Sequence, residues 1–310
     1  MKNVLVVYYS QSGQLLEIAK NVTKDLENSQ EVNLTYYEIK LKENFPFPWT
    51  KDEFYDAFPE TFLQIPSELT DLDNPVLKQK YDLVILAYQV WYLSPAIPIN
   101  SFLKNTVAKE LLKETPIITL IGARNMWIQA QEKVKRLLVD CNANLVGHIA
   151  LVDRHINHVS VITIVHWMFN GDKNKRFLGF FPKPGVSQKD IDESIKFSPA
   201  ILNHLLLGKY EALQNNLLAM DAVKIKPFLV LVDKRANVIF SKWANYIHGK
   251  GRAKGTERRS LVMMFSRYLM FAIWFIAPIV FVLFLLTYVP LIGKIKRDKK
   301  YFSSVQLKKS

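Results

Sequence analysis

Between an apolar run, Val4-Leu5-Val6-Val7, and a helical pattern that opens at Leu15 lies the stretch Ser10-Gln11-Ser12-Gly13-Gln14. Hydroxyls, amides and a glycine at the mouth of a helix suit the binding of an anion. The first N–H groups of a helix have no intrahelical partner and carry the positive end of its dipole. A phosphate monoester is the anion expected here, although the same residues also make an ordinary strand-to-helix turn with a serine cap. Two further stretches have comparable equipment. Gln89-Val90-Trp91-Tyr92-Leu93-Ser94-Pro95 follows the run Leu83–Tyr88 and puts aromatic rings where a strand ends, a stacking surface for a flat apolar ligand. Gly122-Ala123-Arg124-Asn125-Met126-Trp127 follows Ile117–Ile121 and combines close backbone approach, a fixed cation and another aromatic. Three such loops point to a flat phosphorylated cofactor. His155 and His158 are candidate bases, since they follow a fifth apolar run on the same side; the plainer reading is a pair of surface-loop histidines. With His166 they form no metal signature, because HxxH does not place two ligands on one strand face and no thiolate or carboxylate completes a set.

The elements that must position these loops alternate. Strand runs are expected at Val4–Tyr9, Val32–Ile39, Leu83–Tyr88, Ile117–Ile121 and Gly147–Val152, with helical patterns at Gln14–Leu26, Pro98–Val107 and Ala130–Cys141. This is the pattern of an α/β, doubly wound, parallel five-stranded sheet, whose ligands sit past the C-terminal strand ends. The proline- and aromatic-rich stretch Phe45–Leu77 breaks the rhythm and reads as an irregular excursion, a lid or substrate wall. An α-rich extension follows. His158–Phe169 is a dense apolar stretch, either a buried element, a dimer surface or a membrane-facing lip. Ser187 opens a helix to about Phe197, and another helix follows Pro199. Phe228–Val232 reads as a strand and Ala236–Ile247 as a helix. The expected divisions are residues 1–155, 156–248 and 249–310.

The chain of 310 residues carries 41 Lys and Arg against 28 Asp and Glu, a net charge of +13, but the excess is local. Residues 249–310 hold 13 basic and 2 acidic residues, so the remainder is close to neutral and no nucleic-acid partner is expected. Cys141 is the only cysteine, which excludes a disulfide within the chain and fits a reducing compartment. The chain starts directly on a strand, without the pattern of a secretory signal, so its front is expected to stay cytoplasmic. Tyr268–Val289 runs 22 residues without a charge, long enough to cross a bilayer as one helix, within a membrane segment of about 262–292. Basic residues flank both ends and Pro278 lies near the middle, so a single span and a re-entrant hairpin both fit. The expected location is the inner membrane, with the folded part on its cytoplasmic side and membrane lipid as a partner.

The first two loops resemble those of the flavodoxin-like FMN proteins, the flavodoxins and NAD(P)H:quinone reductases, over about residues 1–150. In that group the first loop reads (Ser/Thr)-x-(Ser/Thr)-Gly-x-(Ser/Thr) and holds the FMN phosphate. The resemblance implies a phosphate site at Ser10, Gln11, Ser12, Gly13, Gln14 and Leu15. It implies ring contacts from Gln89, Val90, Trp91, Tyr92, Gly122, Ala123, Arg124 and Asn125. Leu15 departs from the pattern by lacking the last hydroxyl, and Gln89 and Leu93 stand where proline and glycine are usual. With its basic, apolar tail the chain is also similar to the dialkylresorcinol condensing enzymes of the flexirubin-type pigment pathways. That resemblance rests on Met1–Leu15, Gly122–Trp127 and Trp243–Arg259. It implies a membrane-associated, FMN-dependent aromatase converting a 2,5-dialkylcyclohexane-1,3-dione, a hydrophobic small molecule, to a 2,5-dialkylresorcinol. In that role Arg124 holds an enolate oxygen, His155 or His158 takes a proton, and a ketosynthase is the partner. Two alternatives stand beside it: an NAD(P)H:quinone reductase or flavodoxin-type electron carrier, and a non-catalytic scaffold that has lost flavin. Reductases of this fold are often homodimers, which the resemblance also implies.

Overall fold

Apolar runs such as Val4–Val7 and Leu83–Leu86 have no polar face, which suits strands covered by helices on both sides. The computed structural model of the chain describes residues 1–307. Its five long strands are β1 (Lys2–Tyr8), β2 (Val32–Glu38), β3 (Leu83–Trp91), β4 (Pro116–Ala123) and β5 (Asn144–Val152). They pair in parallel in the order β2-β1-β3-β4-β5. That is the flavodoxin-like doubly wound order, with a switch point beside β1 where ligands bind. A two-residue strand, Ser94–Pro95, folds back antiparallel on the end of β3, so the sheet has six strands rather than five.

Helix α1 (Gln14–Val22) buries Leu15, Ile18, Ala19 and Val22, one face of a 3.6-residue repeat. The helical pattern expected to run to Leu26 breaks at Thr23, whose hydroxyl bonds the Ala19 carbonyl at 2.8 Å and competes with the backbone. The pattern at Pro98–Val107 is likewise divided, at Asn105, whose side chain caps a second helix by accepting from the Val107 N–H. The excursion after β2 is more regular than expected. It holds α2 (Lys51–Asp56) and α3 (Phe58–Leu63), and Thr50 and Glu53 form a capping box at the start of α2. Helix α4 (Ile128–Asp140) follows β4, and α5 (Asn157–Asn170) is the dense apolar stretch after β5.

The strand expected at Phe228–Val232 is instead the first turn and a half of α6 (Pro227–His248). Pro227 at the first helical position pre-sets the backbone. The buried positions Val230, Asp233, Phe240, Ala244 and Ile247 follow helical spacing, and packing overrides the β-propensity of the run. Val186, Ile191, Phe197, Ile201, Leu205, Leu213 and Leu217 join the same core as the sheet.

Helix α7 (259–287) is continuous. It passes through a π-helical stretch, Ala272–Ile276, just before Pro278 and does not reverse. The π turn accommodates the N–H that proline lacks. Helix α7 lies antiparallel along α6, with Trp243 on Phe265 and Tyr268 at one end and Phe228 on Phe281 and Phe284 at the other. The Phe58 and Phe265 rings stack at 3.7 Å. The start of α7 is pinned by Arg258, fully buried, which bonds Asp56 at 2.9 Å and Glu60 at 2.6 and 3.0 Å. A last helix, α8 (Ile292–Phe302), returns to the body. Lys234 pairs with Asp298 at 3.0 Å, Phe302 is buried, and Tyr301 donates to Glu132.

Candidate functional site

The turn after β1 puts Gly13 in the left-handed region at φ 81° immediately ahead of α1, the conformation glycine adopts most readily. Ser10 Oγ accepts from the Leu16 N–H at 3.3 Å, leaving its own hydrogen to donate. The two amides of the loop are already engaged. Gln14 donates to the Val186 carbonyl and accepts from the Val186 N–H, both at 3.0 Å, and so holds a distant segment against the loop. Gln11 donates to the Pro46 carbonyl at 2.7 Å and accepts from the Trp49 indole at 3.0 Å. What the turn leaves for an anion is the hydroxyls of Ser10 and Ser12 and the open N–H groups of a helix start. Leu15 is buried, and its Cδ1 would stand 3.1 Å from a Cβ at position 122. It fills space beneath Gly122.

The loop after β3 is a two-residue hairpin in which Trp91 pairs with Ser94. Its tip residues, Tyr92 and Leu93, have φ 46° and 60°. Left-handed backbone at two non-glycine residues costs about 1–2 kcal/mol each, and packing holds it. The Tyr92 hydroxyl donates to the Phe54 carbonyl at 2.7 Å, its ring lies against Phe58, and Leu93 is buried. Beneath, Lys133 donates to Ser94 Oγ at 2.6 Å and the Phe62 carbonyl at 3.0 Å, and burial pushes its ammonium down to about 7. Trp91 is clasped edge-on by Phe45, Trp49 and Tyr9.

These loops floor a cavity of about 520 Å³, within the range of cofactor sites. Gln11, Ser12, Gln14 and Leu15 line it from the first loop; Gln89, Val90, Trp91, Tyr92 and Leu93 from the second; Gly122, Ala123, Arg124 and Met126 from the third. Ser10, Gly13, Asn125, His155 and His158 are not in its lining. Arg124 donates to Asn157 Oδ1 at 2.7 Å, and Asn125 donates to the same atom at 3.2 Å. Burial pushes the Arg124 guanidinium down to about 10, partly offset by Asp153, so it stays charged at neutral pH. His155 Nδ1 lies 2.7 Å from Asp153, a fully buried carboxylate that also accepts from Ser160 Oγ at 2.7 Å. His158 Nε2 lies 3.0 Å from the Ile273 carbonyl and its ring is on Trp274, so it ties α5 to the π-helical stretch of α7.

Several lining residues were not expected from the sequence. Val161, Ile164, Val165 and Met168 of α5 form a wall, Arg235 and Ile239 of α6 another, and Leu269, Ala272, Ile273, Ile276, Ala277 and Val280 of α7 the roof. Phe47, Trp49, Phe54 and Tyr55 of the excursion complete it, as a substrate wall would. Arg235 sits in a run of three charges, Asp233-Lys234-Arg235, and nothing local singled it out as a cavity residue. Among the described residues no carboxylate or imidazole lines the cavity; its ionisable groups are Tyr55, Tyr92, Tyr268, Arg124 and Arg235. No group of three or more His, Cys, Asp or Glu among the described residues is arranged to hold a metal ion.

Flavin fits this donor set. The Ser12 hydroxyl and a helix start suit the phosphate, glycine at 122 keeps the backbone close, and Trp91 and Arg124 suit a flat ring system carrying carbonyls. No family model matches the chain, and no curated protein matches it. Similar solved structures include the two-electron reduced flavodoxin of Megasphaera elsdenii, at 16% identity over 50% of this chain and 89% of that one, TM-score 0.30. The Trp repressor binding protein of Bacillus subtilis is similar at 11% identity over 54% and 98%, TM-score 0.29. The NAD(P)H:quinone oxidoreductase of Methanothermobacter marburgensis is similar at 9% over 57% and 98%, TM-score 0.31. The fold assignment stands on the strand order.

Proposed function

We propose that the protein is a membrane-associated FMN-dependent oxidoreductase, an aromatase that oxidises a 2,5-dialkylcyclohexane-1,3-dione to a 2,5-dialkylresorcinol. The observation that carries this reading is the composition of the cavity: a polar floor at the strand ends, two arginines, and an apolar roof. Bound FMN would supply a two-electron acceptor. Ser12 and the first N–H groups of α1 would hold its phosphate, with Ser10 steadying the turn through the Leu16 N–H, and Trp91 and the Gly122–Arg124 backbone would flank its ring. A cyclic 1,3-dione is acidic enough to enter largely as its enolate. Arg124 and Arg235 suit that anion, and the absence of a lining carboxylate avoids repulsion. Removal of one hydride from the enolate leaves a tautomer of the resorcinol, with no further net proton loss. His155, oriented by Asp153 and outside the cavity lining, is the proposed group for moving a proton during that tautomerisation, by way of an intervening water. The walls of α5 and α7 exclude water and take the alkyl chains.

Full-length protein loaded with FMN should convert the dione anaerobically to one equivalent of resorcinol and bleach the flavin. A loaded protein that leaves the dione unchanged while oxidising NADPH with a quinone would instead establish the reductase reading.

A further inference from the structure

Helix α7 has two apolar sides, and only one is used. Leu269, Ala272, Ile273, Ile276, Ala277 and Val280 face the cavity. On the opposite side Phe271, Phe275, Ile279, Val282 and Leu286 form a stripe at successive spacings of three or four residues, each more than half exposed, and Leu283 and Leu285, also more than half exposed, widen it. Over fifteen residues a helix rises about 23 Å, so this is an unbroken apolar strip far longer than isolated surface residues produce. Exposed Arg267 lies before it, and Lys294, Lys296, Arg297, Lys299 and Lys300, all exposed, follow it. An apolar strip rimmed by cations matches the acyl region and anionic headgroups of a lipid leaflet.

How the strip meets lipid is decided by its two ends. The helix from Thr256 to Thr287 is long and apolar enough to cross a membrane. Its beginning, however, is fixed to the body by Arg258 on Asp56 and Glu60. Its far end is fixed to the same body. Beyond the contacts of Tyr301, Phe302 and Asp298, Gln214 donates to the Ser303 carbonyl and Lys135 to the Gln306 carbonyl, both at 2.9 Å. Between the ends it rests along α6, which carries Asp233, Lys234, Arg235 and Lys242 and cannot itself enter hydrocarbon. A crossing helix would carry residues 292–307 to the far side of the bilayer and strip those contacts.

We propose that the protein is monotopic: α7 lies in the plane of one leaflet, its outer stripe against acyl chains and its inner side roofing the cavity. This rests on the membrane-association part of the proposed function and not on its flavin chemistry.

The test uses the full chain in membrane vesicles of both orientations, with Asp73→Cys and Gln306→Cys as separate reporters for a membrane-impermeant maleimide. Native Cys141 stays silent, because it is buried and its thiol is pushed up to about 11. Asp73 is fully exposed on the α/β body and Gln306 is exposed at the tail. Both reporters should label from the same side, in protein that resists extraction by alkaline carbonate. Labelling of position 306 only from the side opposite to position 73 overturns the proposal and establishes a span. Recovery in the soluble fraction, as a monomer or as a dimer covering the stripe, overturns the membrane reading as well. As a second readout, fluorophores on Phe271→Cys and Ile279→Cys, which a crossing helix would hold about 12 Å apart in depth with position 279 near the bilayer centre, should be quenched equally by lipids brominated at one chain depth. Unequal quenching, as two depths along a crossing helix require, contradicts an in-plane helix.

Discussion

The floor and the roof of the cavity are held by different forces. The floor is a hydrogen-bonded construction. Gln14 and Gln11 each use both ends of their amides, Arg124 and Asn125 share Asn157, and Tyr88 donates to Gln131, which donates to Thr119, itself 3.0 Å from His148. The roof is apolar contact, fixed at its two ends by buried polar groups and touched in the middle by His158 at the Ile273 carbonyl. Directional bonds fix atoms, as a cofactor requires. Apolar contact is non-directional and tolerates small shifts of the helix.

Breaking the pins of the roof should have the largest effect. Arg258→Met leaves Asp56 and Glu60 facing each other with their cation gone, and costs about 3–5 kcal/mol of stability. Chemical denaturation of the full chain in detergent measures it; a loss below about 1 kcal/mol would show that the roof is not anchored there. In the floor, Gln14→Leu orphans the N–H and carbonyl of Val186 and should cost about 2–4 kcal/mol. Limited proteolysis should then cut first near residues 170–187, which Gln14 secures.

The chemistry gives a smaller and more local effect. Arg124→Gln should lower turnover of the dione about a hundredfold, the scale for losing one charged donor to a developing oxyanion, with little change in melting temperature. His155→Gln should lower it about tenfold, the low end for a proton-moving group.

Acid separates floor from roof in a different way. His148 is fully buried, and burial pushes its imidazole down to about 3, so the native state keeps it neutral. The unfolded chain takes up that proton near pH 6.5. Stability from this site is therefore complete above about pH 6.5 and falls as pH drops toward 3, the unfolded state binding the extra proton. His148→Asn should flatten that part of the stability–pH curve; an unchanged slope would remove His148 from the account. The smallest change in stability, under about 0.5 kcal/mol, is expected for Phe275→Ser on the exposed stripe, although partition into vesicles should weaken.

The sheet was legible in the sequence because its strands are covered on both faces and read as continuous apolar runs, and three of its strand ends carry the loops that floor the cavity. The roof was legible as a long apolar segment but not in its placement. A charge-free stretch of this length with Pro278 near its middle fits a span or a re-entrant hairpin, and nothing local reveals that residues 292–307 fold back to the body. The strand expected at Phe228–Val232 failed for a related reason: five apolar residues after a proline suit either element, and only packing on α7 decides. Leu15 shows a departure explained by contact, since it supports the backbone at Gly122 instead of a phosphate. Gln11 and Gln14 show the reverse, residues of the right type whose hydrogen bonds go to other parts of the chain.

The most direct measurement is a titration of the folded, detergent-purified chain with FMN, followed by absorbance and by quenching of flavin fluorescence. The account predicts saturable binding of one FMN per chain, with strong quenching that Trp91→Leu relieves and affinity that Ser12→Ala lowers. A folded protein that leaves FMN fluorescence unchanged across the titration would contradict it, and would make the cavity a site for something other than flavin.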